Sequence, residues 1–569
     1  MAGSYWDKFT KQRISRRRAL QSAGVAGAAA GAIWVVGCGG GDDDDGGNGG
    51  NGGNGGGDGK PVRGGRYSVG STADFDTFDP YIGIAASVGY FPRLYNVLVN
   101  YSALDTSFEF FDLATGYEQP DDATYIFTIR DGVKVSPNAL GVPERNLDAE
   151  DVVVAYDRIK TLPQSNAAAF INKWLASHEA STDKRQYTFN LPSPYYFFRN
   201  RIGSPINTVV PKEALTDANI GKLRSQAAGA GPFMLRDYAE GTGATLDRNP
   251  NYYRRDESNN NEQLPYIDGM DVKIITDRAA IRTAFQTGQL SVYTGETVDE
   301  SLQLAQGQNY TQVKDPVNTF LAFTMHPEKA PWTDERIRKA ANFAINRQEF
   351  VDKVYNGEAQ ANGIFHWPLG DLALPEDELE EFQRYDPAEA KALIRAATGQ
   401  DTVKIKMMYP AESTIEQHSL HLPIFLQQLK DGGFDVEEDP QAFGTWLDNY
   451  TNLNYECSLA LNQVYEYAEF NMDWQHSEGP ARNNIYAVGI GKLYPEIDEE
   501  IDRVKGITDP EEFKEAVHEL QRTIFEKGPA FLPLVSPYAI TLYQPYVKNI
   551  PQGIGASGLY VNTWWIDQA

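Results

Sequence analysis

Residues 320–325, FLAFTM, constrain the fold more than any other stretch of this chain. Phe320, Ala322 and Thr324 alternate with Leu321, Phe323 and Met325, so both faces of the strand they predict are largely apolar. A strand of that kind belongs inside a sheet that is covered on both sides. Pro327 and Pro331 end it. Asp334 then predicts the N-cap of a helix whose apolar face is Ile337, Ala341, Ala344 and Ile345. Asn346 with Glu349 three residues on predicts a capping box for a second helix. Phe350, Val351, Val354 and Tyr355 form its buried face, and Asn356-Gly357 stops it.

The chain around this stretch alternates strands and helices. Residues 125–130 read as a strand ended by the Asp131-Gly132 turn. A helix is expected from Asp148, with Val152, Ala155, Tyr156 and Ile159 on one face. Asp386, Pro387, Glu389 and Gly399 bound one further helix, and Asp509, Pro510, Glu512 and Gly528 another. Between them VKIKMMY, a helical run and FDVEED give strand–helix–strand order, which implies parallel pairing and an α/β lobe. The expected fold class is therefore α/β. The chain shows no internal repeat.

A chain of 569 residues can bury a large core. Its net charge of −27 argues against nucleic acid, which requires a basic surface, and suits a secreted, soluble monomer. The two cysteines, Cys38 and Cys457, lie outside any CxxC and form no disulfide framework. Residues 1–37 are expected to be a targeting segment. Its basic run, with Arg16 and Arg17, resembles the twin-arginine export signal, with Ala19 where Phe is usual. VVGC, residues 35–38, resembles a lipoprotein processing box, which implies cleavage before Cys38 and acylation of its thiol. Residues 39–59 are only Gly, Asn and Asp and cannot bury apolar area. With Cys38 and Lys60 they read as a disordered tether, 38–60, whose r.m.s. reach is about 25 Å.

No HExxH, GxSxG or P-loop is present. Gly229–Gly231 lacks the Lys-Ser/Thr of a phosphate loop, and GIGASG, residues 553–558, has no following helix or strand to make a dinucleotide site. His418 and His421 have a spacing compatible with metal, but no carboxylate or thiol is placed to complete a site. No cofactor and no catalytic residue is expected. What remains is the aromatic and acidic run LNQVYEYAEFNMDWQHSEGPARNNIY, residues 461–486.

Residues 331–359, PWTDERIRKAANFAINRQEFVDKVYNGEA, resemble the signature of the oligopeptide/dipeptide-binding family of extracytoplasmic solute-binding proteins of ABC importers. The match falls on Pro331, Trp332, Asp334, Arg336, Arg338, Ala340, Ala344, Ile345, Asn346, Arg347, Gly357 and Ala359. Residues 130–134 with 149–152, and Gly229–Pro232 with Asn249–Tyr252, resemble further runs of the family. At the Gly-Gln-Leu of 288–290 the family's following Asp is Ser291 here.

The resemblance implies a two-lobed periplasmic-binding-protein-like fold with an additional subdomain and a hinge. Its expected bounds are a first lobe over 61–314, with an inserted subdomain at about 95–205. A second lobe follows over 315–530, and 531–569 return to the first. It also implies a non-catalytic receptor, lipid-anchored at the outer face of the cytoplasmic membrane. The receptor would capture a small solute, most often an oligopeptide, and deliver it to an ABC permease. Family position places Tyr465, Glu466, Tyr467, Asp473, Trp474, Arg482 and Phe320 at the ligand. The usual Trp-x-x-Asp is not reproduced among them. Tyr and Trp beside carboxylates serve a sugar or a cation as well as a peptide, and Arg482 can meet a ligand carboxylate or cap the acidic run. A sugar or nickel-chelate receptor of the same fold and a secreted hydrolase stand as the alternatives.

Overall fold

The computed structural model describes residues 60–567 apart from 84–86, 102–108, 166, 317–318, 366–370, 412–415, 464–467, 479–488 and 551–562. Arg16, Arg17, Cys38 and the segment 39–59 therefore lie outside the described residues.

The first part of the chain builds two small sheets. It runs β1 (Arg66–Ser71), β2 (Ala114–Asp121), β3 (Thr124–Ile129), α1 (Ala149–Thr161), β4 (Ser177–Ala180), β5 (Gln186–Asn190) and α2 (Phe198–Ile202). Strands β6 (Phe233–Ala239), β7 (Gly243–Arg248) and β8 (Gly269–Ile274) follow. One sheet has the order β1-β8-β7-β6, with only β1 and β8 parallel; the other, β2-β3-β5-β4, is antiparallel throughout. Asp148 caps α1 with the reciprocal hydrogen bonds of a capping box, supplied by Asp151, and Val152, Ala155, Tyr156 and Ile159 are buried as expected. Gly229 and Gly231 serve packing and not phosphate. A Cβ on either would stand 2.1 and 2.6 Å from the Leu94 carbonyl group.

The second part builds an eight-stranded mixed sheet. It comprises β9 (Val292–Thr294), β10 (Thr311–Pro316), β11 (Thr319–Met325), helices α3 (Glu335–Phe343), α4 (Arg347–Tyr355) and α5 (Pro387–Thr398), and β12 (Val403–Pro410). Helix α6 (Glu416–Asp431), β13 (Phe434–Gln441), α7 (Phe443–Thr451), β14 (Cys457–Gln463) and α8 (Ala468–Asp473) come next. Helices α9 (Pro495–Lys505) and α10 (Pro510–Lys527) lead into the long β15 (Phe531–Tyr543). The strand order is β9-β15-β11-β14-β12-β13, with β10 and the short strand Ala359–Ala361 also on β15.

Strand β11 lies where its composition demands, between β14 and β15, with residues 320–325 fully buried. Leu321, Phe323 and Met325 join Trp332, Ile337, Ala341 and Phe425 in one core. On the opposite face Phe320 meets the Phe531 ring edge-on at 5.7 Å, and the Thr324 hydroxyl lies 3.0 Å from that of Tyr450. Strand β15 spans two pairings: residues 531–535 run against β11, whereas 538–543 run against β10.

The helix ends follow the sequence with one correction. Asp334, Asn346, Asp386 and Asp509 all cap through their side chains, and Asn356 takes the left-handed conformation that ends α4. The box expected at Asn346 is not reciprocal. Its N–H donates to Gln428 Oε1 at 3.1 Å, and the Glu349 carboxylate accepts from Gln428 Nε2 and Lys353 Nζ. A glutamine from α6 reaches the site before the local side chain does, so a local motif has become a tertiary joint.

Arg338 has no sequence-level reason to be buried, yet it is fully enclosed. Its guanidinium donates to the carbonyls of Trp332 (2.6 Å), Gly528 (2.6 Å) and Lys527 (2.7 Å). Two of these end α10, where carbonyls lack helical partners and the helix dipole favours a cation. Arg338 thus pins α10 to α3. We expect Arg338→Met to lower the unfolding free energy by about 3 kcal/mol or more, because three buried acceptors lose their donor. Arg338→Lys should recover only part of that loss. Urea unfolding followed by far-UV circular dichroism measures both.

Candidate functional site

Strand direction locates the site. Strand β12 runs parallel to both β13 and β14, so Pro410, Gln441 and Gln463 end at one edge. Strand β11 is antiparallel to β14, and Thr319 pairs with Gln463, so the crossing from β10 to β11 reaches the same edge. In open α/β sheets ligands bind outside the carboxyl ends of the strands. On the other side, β9 abuts β1: Ser291 N–H donates to the Ser68 carbonyl at 2.7 Å, and Ser68 N–H donates to Ser291 Oγ at 2.9 Å.

The carboxyl ends of β1 and β9 flank a cavity of about 280 Å³ lined by Ser71, Thr72, Arg278, Tyr293 and Thr294 among others. Its polar rim is internally satisfied. Ser71 Oγ donates to the Ala73 carbonyl, Thr294 meets Thr541, and Arg278 pairs with Glu296 at 2.6 Å. The loop after β1 is held by an aromatic cluster of Phe75, Phe78, Tyr90 and Tyr238 and by the Asp79–Arg158 ion pair.

Of the seven residues expected at a ligand, Tyr465, Glu466, Tyr467 and Arg482 lie outside the described residues. Phe531 brings two of the other three together. Trp474 stacks on it at 4.0 Å with an interplanar angle of 8°, and Phe320 meets it edge-on. Both expected residues are buried, Trp474 at 4% exposure. Asp473 is fully buried, and the ammonium it faces is that of Lys505.

Around Asp473 lies a charge cluster that sequence reading did not find. Glu469, one turn earlier on α8, stands 3.7 Å from Lys505 Nζ and 3.7 Å from Arg201 Nε. Glu469, Asp473 and Lys505 are each less than a tenth exposed. Burial alone would raise the Glu469 pKa, but the charges of Arg201 and Lys505 outweigh it and hold the carboxyl below its ordinary value. One sequence signal did exist. Lys505 falls in phase with Ile497, Ile501 and Val504, the buried face of α9, where a lysine needs an acidic partner.

Among the described residues, no group of three or more His, Cys, Asp and Glu is placed to hold a metal ion. His421 is buried against the rings of Phe350 and Tyr355, while the His418 side chain lies outside the described residues. No helix among the described residues is long and apolar enough to cross a membrane.

Comparison with known proteins now defines the class. The family of bacterial extracellular solute-binding proteins, family 5, matches residues 111–478. The fold is the two-lobed α/β fold of periplasmic binding proteins. It superimposes with a TM-score of 0.74 on the substrate-binding protein CtaP of Listeria monocytogenes, at 18% identity, over 89% of this chain and 100% of that one. With DppA of Helicobacter pylori, solved in complex with the peptide STSA, the TM-score is 0.71 at 19% identity, over 89% and 99%. The chain belongs to family 5 of the solute-binding proteins. A D,D-dipeptide-binding periplasmic protein of Escherichia coli is 26% identical over 51% of this chain and 55% of its own length. The chain thus spans little more than half the length of that relative. The oligopeptide-binding protein AppA of Bacillus subtilis is 24% identical over 89% of this chain and 93% of its own.

The buried cluster yields a pH test. Lys505→Met leaves two buried carboxylates with one cation fewer, and we expect it to cost about 3–5 kcal/mol at pH 7. Glu469 is depressed in the native protein, so its stabilisation is present above the unfolded carboxylate pKa and lost as pH falls through the folded one. Protonation relieves the mutant of its uncompensated charge, so the difference in Tm should narrow between pH 7 and pH 4. A constant difference would show that the ammonium contributes packing alone.

Proposed function

We propose that this protein is the receptor of an ABC importer. It captures an extracytoplasmic solute, an oligopeptide or peptide-like molecule, between its two lobes and presents it to the membrane permease. One observation carries the reading. The carboxyl edge of the large sheet opens beside the crossing strands, in a chain whose family is defined by solute binding. Ligand then selects a closed state through contacts with both lobes, and the protein itself performs no chemistry.

In this reading the first lobe is 61–314 with a subdomain at about 95–205, the second is 315–530, and 531–569 lead back to the first. The pairing of β15 with both β11 and β10 supports a hinge at its middle. Tyr465, Glu466, Tyr467 and Arg482 form the second lobe's contribution to the ligand wall, whereas Asp473 is taken up by Lys505 of the same chain. Trp474, Phe320 and Phe531 provide its aromatic floor. Arg16 and Arg17 direct export, and acylated Cys38 anchors a monomeric domain by its flexible tether.

A relative at 25% identity over 53% of this chain is the nickel-binding periplasmic protein of Escherichia coli, so a metal chelate is the second solute class to test. Native mass spectrometry of the protein purified without denaturation separates the two. We expect a stoichiometric added mass that fragments as a peptide. A metal-chelate mass would assign the other class. Absence of added mass, with no thermal stabilisation by peptide libraries, would remove the receptor reading. For the anchor, Cys38→Ala should move the protein from the membrane to the soluble fraction, and intact-mass analysis of the wild type should show the diacylglyceryl increment.

A further inference from the structure

The buried charge cluster joins two lobes. Glu469, Asp473 and Lys505 belong to helices α8 and α9, which precede β15 of the large sheet, whereas Arg201 belongs to α2 in the first part of the chain. Distances sort the pairs. Lys505 and Asp473, both in the second lobe, are in direct contact, and Asp473 is fully buried. The pair that crosses, Arg201 to Glu469, is looser at 3.7 Å, and Arg201 keeps 17% of its side chain exposed. Glu469, Asp473 and Lys505 together carry one net negative charge, and Arg201 and Lys173, both from the first part of the chain, act on Glu469.

The same short segment makes further crossing contacts. Tyr196 N–H donates to the Lys505 carbonyl at 2.9 Å, where α9 ends. The Tyr196 ring stacks on Phe513 of α10 at 3.8 Å and 7°, and Phe197 meets Phe513 edge-on at 5.4 Å. Arg201 is braced on its own side by the Phe170 ring at 4.8 Å. The Tyr195 hydroxyl faces Glu469, whose charge together with burial drives that phenol's pKa well up.

We propose that residues 195–201 form a closure latch. They bind α8, α9 and α10 of the second lobe through the Arg201–Glu469 charge pair and the Tyr196 backbone and ring contacts, and so hold the cleft shut. The proposal rests on the two-lobe receptor reading, but its test needs no solute. It also places the latch on the helix that precedes Trp474, so closure and the seating of the ligand wall are one event. The crossing charge pair is longer than the Lys505–Asp473 contact, and Arg201 stays partly exposed. This arrangement lets a solute decide the equilibrium.

Hydrogen exchange of the purified full chain, read by mass spectrometry, tests it. In Arg201→Met, peptides covering 193–203 and 505–515 should exchange at least tenfold faster than in wild type, while the peptide over β11 is unchanged. Glu469→Gln, nearly isosteric, should do the same across the gap at 193–203. The swap Arg201→Glu with Glu469→Arg should return both segments toward wild-type protection. Unchanged exchange in both single variants overturns the latch, as does a swap that folds without restoring protection. Should Glu469→Gln not fold, Arg201→Met decides alone, since it removes only the partly exposed member. Failure to find a solute by native mass spectrometry would leave these results readable, so the two readings fail separately.

Discussion

The structure depends on β15 changing its pairing partners along its length. Its first residues complete the bed of β11, whose two apolar faces require cover on both sides. Its later residues leave that bed and pair with β10 and β9, and β9 abuts β1 of the first sheet. A strand that belongs to two packing environments transmits rotation between them while keeping its hydrogen bonds.

Two arginines show how differently the fold uses charge. Arg338 has carbonyls for partners, those of Trp332, Lys527 and Gly528, all close. Its site is static and joins α10 to α3. Arg201 faces the Glu469 carboxylate of a distant segment at a longer distance and remains partly exposed. The first geometry resists separation, and the second tolerates it.

The parts of this account legible in the sequence are those governed by local physics. Asp334, Asp386 and Asp509 cap the helices they precede because a short acceptor side chain reaches the N2 and N3 amides without tertiary help. The central place of β11 follows from six side chains. The candidate site was less legible because its partners are distant in sequence. Asp473 meets Lys505 across 32 residues, and Trp474 meets Phe531 across a helical pair. Asp473 reads in the sequence as a ligand acid beside a tryptophan, but nothing local reveals that an ammonium of the same chain reaches it. The capping box at Asn346 failed for the same reason, since Gln428 arrives from α6.

The central claim is that one solute closes two lobes. Small-angle X-ray scattering tests it directly, on the protein as purified, after reversible unfolding to strip bound solute, and after return of the small-molecule extract. The account predicts a larger radius of gyration for the stripped protein and recovery of the smaller value when the extract is restored. Identical scattering in all three states, with the protein folded throughout, would contradict it.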